Sequence, residues 1–348
     1  MTTKNSAASA LRSCVVVGAG VAGLACARAL AARGLQVTVL DKGRGVGGRL
    51  ATRRIGEAVF DHGAQSFTAR HSAFQLEIER WLDADAALPW PGLRPQDASP
   101  AEAAAKLRYI GRNGMTAIPK HLARGLDVRL STRVVELNEW DGGWELVSES
   151  GEHFNTQAVV LTPPLPQVCA LLRESRVPLP QDAVALIRAV VYEPCFAVMA
   201  VLDGPSAVPH PGTIVLSGSP VSLISDNTHK GISTVPAATI HAGAAWSREH
   251  LDDDPGDVAR ALIAASAEWL GAKVQEYQLH RWLYSLPVNN VGERCLVIPG
   301  LPPLVLAGDA FGAARVEGAY LSGLAAADAL LSIDPLSPVP VAAPYVAP

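Results

Sequence analysis

Residues 14–41 have the sequence CVVVGAGVAGLACARALAARGLQVTVLD. An apolar, β-branched run is followed by three glycines (Gly18, Gly20 and Gly23) and by a segment of small residues and leucine that predicts a helix. A second strand pattern, residues 36–40, ends at Asp41. This order of strand, glycine-rich turn, helix, strand and acidic residue is typical of a βαβ unit that binds a dinucleotide.

Each part of this pattern has a physical role at a dinucleotide. Gly18 allows the tight turn, Gly20 lets the backbone approach a pyrophosphate, and Gly23 lets the helix pack closely on the strand. The free N–H groups and the positive dipole end of the helix then face the phosphates. Asp41 can accept hydrogen bonds from both hydroxyls of a ribose.

The composition is typical of a soluble protein without nucleic-acid partners. The chain has 348 residues, of which 49% are hydrophobic and 18% are charged, enough for two domains or one large α/β unit. A formal net charge of −4 gives no reason to expect nucleic acid or an anionic membrane as partner. A signal peptide or membrane anchor at residues 14–27 is disfavoured, because Arg28 and Arg33 interrupt the run before the ~20 apolar residues of a span.

The five cysteines are odd in number and widely spaced, without a CxxC pair or a zinc-like Cys/His spacing. They are Cys14, Cys26, Cys169, Cys195 and Cys295. This usage predicts free thiols in a reducing cytosol and no metal site. We therefore expect a cytoplasmic protein, either a monomer or a homodimer.

Two further motifs suggest contacts with a cofactor. The Gly47-Gly48-Arg49 loop combines glycines that permit close approach with an arginine fork that suits a diphosphate, although it could also be a solvated loop. Gly308-Asp309 ends an apolar strand, and Gly318-Ala319 is expected to open a helix that continues from about Tyr320 to Leu331. An aspartate at that place could bind a sugar-alcohol chain, or it could be only a helix cap.

Cofactor-type motifs at both ends of the chain enclose β-rich sequence, which predicts a discontinuous binding domain with an inserted domain. We assign residues 13–66, 105–165 and 275–332 to the binding domain, 67–104 and 166–274 to a substrate domain, and 333–348 to a proline-rich tail. Strands are predicted at 128–137 and 144–147 around a hairpin turn at Asp141-Gly142-Gly143, and a helix is predicted at 258–270.

Taken together, these motifs resemble the FAD-binding domain of the flavin amine oxidase and glutathione-reductase-like superfamily. The resemblance implies an α/β fold: a Rossmann-type parallel sheet with helices and a small antiparallel sheet, plus an inserted domain of mixed or antiparallel sheet and helices. It also implies the following FAD contacts: Gly18, Gly20, Val21, Ala22, Gly23, Asp41, Lys42, Gly48, Arg49, Gly63, Ala64, Gln65, Val134, Thr162, Gly308, Asp309, Val316, Glu317, Gly318 and Ala319. No second GxGxxG motif supports a separate nicotinamide-binding domain.

A closer resemblance, from about Cys14 to Leu331, is to the bacterial renalases. The matching segments are Asp41-Lys42, Gly47-Gly48-Arg49, DHGAQSFTAR at 61–70, His241-Ala242, Trp246-Ser247, HRWLY at 280–284 and RVEGA at 315–319. The resemblance implies oxidation of the 2- and 6-dihydro isomers of NAD(P)H to NAD(P)⁺, with electrons passing from FAD to O₂ to give H₂O₂. The alternative is a flavin amine oxidase, or a related oxidoreductase or desaturase with another small substrate.

Five residues are candidates for the substrate site. Monoamine oxidases carry an aromatic residue where this chain has Arg315, and a cation there would repel a protonated amine. Arg315 could instead only pair with Glu317 or with another nearby carboxylate. The resemblance places Gln65 near the flavin. Trp246, Trp282 and His241 are candidates for the pocket, although each could equally be a structural residue.

One segment departs from the renalase pattern. The turn at residues 225–233, SDNTHKGIS, lacks the proline and the arginine of the corresponding family segment. If this turn covers the substrate, specificity differs from that of the family.

Overall fold

The computed structural model describes residues 11–91, 94–95, 107–217 and 219–333. They form two compact units. Unit 1 contains the described residues up to Gly48, the segment Leu122–Val191 and the chain from Asn289 onward, and unit 2 contains Arg49–His121 and Tyr192–Val288. Almost all of the predicted tail, and residues 92–93 and 96–104 of the predicted substrate domain, lie outside the described residues.

Unit 1 is built on a six-stranded sheet in which only one neighbouring pair is antiparallel. Its strands in spatial order are β18 (Leu296–Val297), β19 (Leu304–Leu306), β12 (Ala158–Leu161), β1 (Ser13–Val17), β2 (Gln36–Leu40) and β8 (Asp127–Arg129). The central strands β1 and β12 are apolar and almost entirely buried, as expected for parallel strands covered on both faces.

A three-stranded antiparallel sheet and four helices complete unit 1. The sheet contains β9 (Val134–Trp140), β10 (Gly143–Ser148) and β11 (His153–Thr156). The helices are α1 (Val21–Ala31), α4 (Leu165–Glu174), α5 (Gln181–Arg188) and α9 (Arg315–Ser332). Asp141 and Gly142 both have positive φ, at 44° and 75°, and form the predicted two-residue hairpin turn between β9 and β10.

Unit 2 is built on a six-stranded, mostly antiparallel sheet. Its strands in spatial order are β17 (Val274–Pro287), β13 (Tyr192–Leu202), β16 (Ala237–Ala242), β15 (Val221–Asp226), β14 (Thr213–Val215) and β6 (Arg94–Pro95). Two smaller pairs are β3 (Thr52–Ile55) with β4 (Ala58–Asp61), and β5 (Ala87–Trp90) with β7 (Arg108–Gly111). The helices of this unit are α2 (Ser72–Asp83), α6 (Ala244–Glu249), α7 (Pro255–Ala265) and α8 (Ala267–Leu270), and α3 (Ala117–Ala123) spans its boundary with unit 1.

The two faces of this second sheet differ in chemistry. One face contributes Phe196, Val198 and Ile240 to an apolar core shared with α7. The other face packs Met199 and Ala237 against the β3–β4 hairpin. Along this second face, Ala197 pairs with His241 of β16 and with His280 of β17, and these histidines belong to the substrate-site candidate described below.

The predicted fold class is confirmed, but three predicted elements are wrong in detail. The predicted strand 128–137 is two strands in two sheets, because the chain turns at Ser131, which has a φ of 54°. The predicted helix 258–270 begins at Pro255 and is interrupted at Ser266. Helix α9 begins at Arg315 rather than at Gly318, so Gly318-Ala319 lies within its first turns.

The compact units divide the chain at other positions than the predicted domains. Residues 49–66 and 275–288 belong to unit 2, and residues 166–191 belong to unit 1. Which segments hold cofactor and which hold substrate therefore stays a prediction.

The cysteines are free thiols, as predicted. Cys14 and Cys26 are buried, and burial raises the pKa of the Cys14 thiol to about 12. In the part of the chain that the structure describes, no helix combines the length and apolarity required to cross a membrane.

Candidate cofactor and substrate sites

The predicted cofactor residues of unit 1 gather at one edge of its parallel sheet. Gly18 follows β1, Asp41 follows β2 and Thr162 follows β12, while Gly308 and Asp309 come two and three residues after β19. Carboxyl ends of parallel strands share an edge, where α/β proteins bind their ligands. The fold therefore brings these five residues to the same end of the sheet.

The turn between β1 and α1 requires two of its glycines for internal reasons. Gly18 has a φ of +107°, and a Cβ there would overlap Thr162 Oγ1. A Cβ on Gly23 would overlap the carbonyl oxygen of Gly18. Thr162 also fixes the turn, because its hydroxyl donates a hydrogen bond to the Val17 carbonyl (2.8 Å).

No contact within the protein requires a glycine at position 20. Its φ of −78° is open to any residue, and a Cβ placed on it would meet no protein atom within 4 Å. Gly20 is the N-cap of α1, and no side chain caps that helix. The first N–H groups of α1, those of Val21, Ala22 and Gly23, thus lie at the positive end of the helix dipole without a capping side chain, an arrangement that suits a phosphate.

Asp41 and Lys42 are already engaged in part. The Asp41 carboxylate accepts hydrogen bonds from the backbone N–H groups of Ala19 and Gly43, both at 2.6 Å, and each carboxylate oxygen keeps a free lone pair for a hydroxyl. The Lys42 ammonium donates to Gln167 Oε1 (3.1 Å). Asp41 is thus fixed in position at the turn.

Helix α9 of unit 1 also begins without a side-chain cap, as do α4 and α5. Its N-cap, Ala314, offers no side-chain hydrogen bond, and Val316, Glu317, Gly318 and Ala319 form its first turns. Gly318 is required by packing, because a Cβ there would overlap the Ala313 carbonyl.

Arg315, the first residue of α9, has an unusual conformation. Its φ is +82°, a left-handed value that is strained for an arginine. The residue is exposed, and among the described residues its side chain has no hydrogen-bond or ion-pair partner. The alternative in which Arg315 only pairs with Glu317 therefore finds no support in the structure.

Asp309 and Val134, two further predicted cofactor contacts, are both buried in unit 1. Asp309 is buried after β19, and the Gly308 N–H donates to Ser322 Oγ (2.8 Å) on α9. Ser322 is buried within an apolar stretch, and only the three-dimensional fold reveals its contact with Gly308. Val134 is buried at the start of β9, consistent with a backbone contact rather than a side-chain one.

In unit 2, Gln65 belongs to a buried ion-pair network. Lys230 Nζ donates to Asp61 Oδ2 and to Gln65 Oε1, each at 3.0 Å, and its side chain is wholly inaccessible to solvent. The Gln65 amide in turn donates to the carbonyls of Asp61 (2.5 Å) and Gly63 (3.1 Å). Both ends of the Gln65 side chain are thus held by the protein, and its predicted contact with a ligand stays a prediction.

Sequence reasoning missed Lys230, although it lies in the turn at 225–233 that departs from the renalase pattern. The turn folds inward: Asp226 accepts the N–H groups of Thr228 and His229, and Lys230 points into the protein. A lone lysine in a polar turn carries no sequence signal for burial, since its partner Asp61 is distant in the chain.

His241 and Trp282 are brought together with two further histidines. The Trp282 indole N–H donates to the His62 carbonyl (2.8 Å), and His241 Nε2 lies 3.2 Å from the same oxygen. The His62 ring stacks on Trp282 at 5.2 Å, and the His280 ring meets Trp282 at 4.2 Å.

The three histidines of this cluster are neutral at pH 7. Burial lowers the pKa of His62 to about 3 and the pKa values of His241 and His280 to about 4. A buried Nδ1 atom of His62 has no hydrogen-bond partner in the described part of the chain. The cluster is therefore an uncharged, aromatic surface, unlike a site for a general acid.

Trp246 does not belong to this cluster. It packs on the apolar core of the opposite sheet face, against Phe196 and stacked on His250 at 4.0 Å. The structure therefore favours a core role for Trp246 over the predicted pocket role.

Arg49 and the Gly63-Ala64 pair form a small backbone anchor in unit 2. Arg49 Nη1 donates to the carbonyls of Tyr284 (3.3 Å) and Ser285 (3.2 Å), and the Ala64 N–H donates to the Arg49 carbonyl (2.9 Å). A Cβ on Gly63 would overlap that same carbonyl.

Comparison with known proteins identifies the family. Residues 98–331 match the family described as flavin containing amine oxidoreductase, and residues 16–81 match the NAD(P)-binding Rossmann-like domain. The chain belongs to the flavin-containing amine oxidoreductase family. This flavoprotein is an FAD-dependent oxidoreductase.

Its relatives include proteins of several activities. Renalase of Mus musculus is 24% identical over 335 residues, which are 89% of this chain and 96% of renalase. Protoporphyrinogen oxidase 2 of Arabidopsis thaliana is 39% identical over 100 residues, 29% of this chain and 17% of that protein. A solved structure from Exiguobacterium sp. 255-15, provisionally named protoporphyrinogen oxidase, has a TM-score of 0.71 at 15% identity and covers 92% of this chain and 98% of its own.

The residues of this flavoprotein fit FAD. The open space at Gly20 and the uncapped start of α1 suit a diphosphate, and Asp41 has free lone pairs for a ribose. The uncapped start of α9 provides a second positive dipole end at the same edge of the sheet.

Proposed function

We propose that this enzyme is a renalase-like oxidase of misreduced nicotinamide nucleotides. It takes a hydride from the 2- or 6-dihydro isomers of NAD(P)H and releases NAD(P)⁺. With the proton and O₂ included, the balanced reaction converts dihydro-nicotinamide, H⁺ and O₂ to oxidised nicotinamide and H₂O₂. FAD, when bound, supplies the two-electron acceptor for the hydride and the route of the electrons to O₂.

The observation that carries this proposal is the state of Arg315. An exposed arginine with a strained backbone φ and no side-chain partner in the described residues stands where monoamine oxidases carry an aromatic residue. A fixed positive charge repels a protonated amine and attracts a carboxamide oxygen or a phosphate. Similarity to renalase along nearly the whole chain supports the same choice.

The neutral histidine cluster supports hydride transfer rather than acid–base chemistry. A hydride leaves a dihydropyridine because the ring recovers its aromaticity, so the reaction needs no strong general base. His62, His241 and His280 are uncharged at pH 7 and offer polar, aromatic contacts to a planar ring. The task of the protein is then to hold the substrate in position.

The test is an anaerobic visible spectrum of the FAD-loaded protein before and after addition of the 6-dihydro isomer of NAD, with NADH and benzylamine in parallel. We expect rapid bleaching by the 6-dihydro isomer alone. Bleaching by benzylamine alone would instead establish an amine oxidase, the activity that the family name suggests.

The Arg315→Ala variant tests whether the Arg315 guanidinium interacts with the substrate. We expect its rate of bleaching per substrate concentration to fall about 10- to 100-fold, the effect of losing one hydrogen bond to a charged group. Arg33→Ala is the matched control, since Arg33 is exposed just after α1 at the opposite end of that helix. Equal loss in both variants would contradict the assigned role of Arg315.

A further inference from the structure

Arg53, on strand β3, occupies the inner face of a hairpin. Arg53 pairs with Phe60 and Ile55 pairs with Ala58, so these four side chains lie on one face of the β3–β4 hairpin. Three of them pack against Met199 in the sheet of unit 2. Arg53 is therefore directed to the same side as the sheet, whereas the next residue, Arg54, points away and is exposed.

The sheet face that Arg53 approaches carries the histidine cluster. Ala197 pairs with both His280 and His241, and the three share one face because paired residues do. Trp282 and Tyr284 continue this face along β17, and both are half-buried. The hairpin face that carries Arg53 packs on this face of the sheet. Burial lowers the pKa values of His62 and His280, and the positive charge of Arg53 lowers them further.

This guanidinium has no negative partner. Arg53 is half-buried, and within the described ranges it forms no hydrogen bond or ion pair with the protein. Its neighbours are neutral rings, and the buried Nδ1 of His62 also has no partner there. A partly desolvated cation among uncharged groups is unfavourable unless an anion from outside the chain completes the cluster.

The chemistry of the cluster indicates which class of ligand would carry this anion. A guanidinium matches two oxygens of a phosphate with parallel hydrogen bonds, and the aromatic faces of His280 and Trp282 suit a planar ring. A ligand that combines a phosphate with a flat, uncharged or weakly charged ring satisfies both features. Nucleotides have this combination, and a free base or a nucleoside does not.

We propose that Arg53 binds the phosphate of the substrate nucleotide while His280 and Trp282 contact its planar ring, so that the enzyme selects phosphorylated nicotinamides over nicotinamide riboside. The proposal rests on the proposed function for the identity of the ring. It makes Arg53 a specificity-determining residue that recognises the non-reacting part of the substrate.

The test is a binding cycle on the FAD-loaded protein by titration calorimetry. The two ligands, nicotinamide mononucleotide and nicotinamide riboside, differ only by the phosphate. We expect the wild-type protein to bind the mononucleotide about 10- to 100-fold more tightly than the riboside. Arg53→Ala should remove this preference and leave riboside affinity unchanged, while Arg54→Ala, the adjacent exposed arginine, should retain it.

Several outcomes would overturn the proposal. Equal wild-type affinities for the two ligands would do so without any variant, and so would equal losses for both ligands in Arg53→Ala. If Arg53→Ala does not retain FAD, Arg53→Lys keeps the charge but loses the fork, and an unchanged preference for the mononucleotide in it would contradict bidentate recognition.

The two proposals fail in different experiments. Bleaching by the 6-dihydro isomer together with no phosphate preference would leave the oxidase function and reject the role of Arg53. A phosphate preference that depends on Arg53, without bleaching, would keep the nucleotide site and reject the oxidase function. Inorganic phosphate that weakens mononucleotide binding but not riboside binding would further support the site.

Discussion

At the scale of single residues, the three glycines of the first turn have different reasons to be glycine. Gly18 and Gly23 are required by the protein itself, because a Cβ on either would overlap neighbouring atoms. Gly20 has free space around the place of its missing Cβ and an ordinary φ. The protein itself does not exclude a side chain at this position, and we propose that a bound ligand does.

This difference predicts opposite effects of two similar substitutions. Gly20→Ala should leave the free energy of unfolding of the FAD-free protein unchanged or raise it by about 0.4–1 kcal/mol, because alanine restricts the unfolded chain. Its affinity for FAD should fall at least 10-fold, since the methyl group occupies the phosphate approach. Gly23→Ala should destabilise the FAD-free protein. Denaturant unfolding and FAD titration measure both quantities, and normal FAD affinity in Gly20→Ala would contradict the assignment.

Lys230 is the residue whose loss should cost the most stability in unit 2. Its ammonium is fully buried and neutralises Asp61, whose other oxygen accepts the Thr52 hydroxyl (2.7 Å) and the Met115 N–H (2.8 Å). Removal of one partner leaves a buried, uncompensated charge. We expect Lys230→Met to lower the free energy of unfolding by about 3–5 kcal/mol. Denaturant unfolding measures it.

A control and a rescue make the Lys230 prediction specific. Lys273→Met changes an exposed lysine and should alter stability by no more than about 0.5 kcal/mol. The double variant Lys230→Met with Asp61→Asn removes both charges and should recover part of the loss. No recovery would mean that the buried pair is not what Lys230 contributes.

At the scale of secondary-structure elements, α1 and α9 are in direct contact within unit 1, and neither helix has a side-chain cap at its N-terminus. Gly323 of α9 lies against the backbone of Ala22 in α1, and a Cβ there would overlap the Ala22 carbonyl. Both helices follow parallel strands of one sheet, so this close contact helps to set the spacing of their N-termini. The glycine fixes the distance between two positive dipole ends.

Gly323→Val should therefore disturb both stability and cofactor binding. Overpacking at a backbone contact lowers the free energy of unfolding by about 1–3 kcal/mol, or more where the helices cannot separate. Because the helix starts are displaced, FAD affinity should fall as well. Ala325→Val, two residues further along the same helix and half-buried, controls for the β-branched side chain. Thermal unfolding and FAD titration of both variants measure the difference, and equal effects would contradict the special role of this contact.

At the scale of the whole molecule, the sequence patterns correctly predicted those elements that depend on interactions between residues close together in the chain. The βαβ unit, the hairpin turn at Asp141-Gly142 and strand β12 all follow from short-range rules of apolar periodicity and turn chemistry. The start of α9 was misplaced because Arg315 adopts a left-handed φ that no propensity rule assigns to arginine.

The site residues that sequence reasoning missed depend on strand register. The ion pair between Lys230 and Asp61, and the proximity of Arg53 to His280, form only when the β3–β4 hairpin has packed on the sheet of unit 2. Trp246 and Trp282 were both candidates for the pocket wall, with a core role as the alternative, and α6 places Trp246 against the apolar face of the sheet. Sequence spacing cannot distinguish the two faces unless the register is known.

The histidine cluster gives the molecule a pH-dependent stability with a definite sign. The pKa of buried His62 is about 3, and those of half-buried His241 and His280 are about 4, all lowered chiefly by burial from the 6.5 of an unfolded chain. Between these values the unfolded chain binds more protons, so the free energy of unfolding is highest above pH 6.5 and falls as the pH drops toward 4. At about pH 5.5 the loss from His62 is about 1.4 kcal/mol, and His241 adds nearly the same amount because its folded pKa also lies well below 5.5. Solvent screening reduces the share of the half-buried His280. Urea unfolding across this pH range should show a shallower decline of the free energy of unfolding in His241→Asn than in the wild-type protein. His153→Asn, a control at an exposed histidine, should decline as the wild-type protein does. An identical decline in all three proteins would mean that other groups cause the pH dependence.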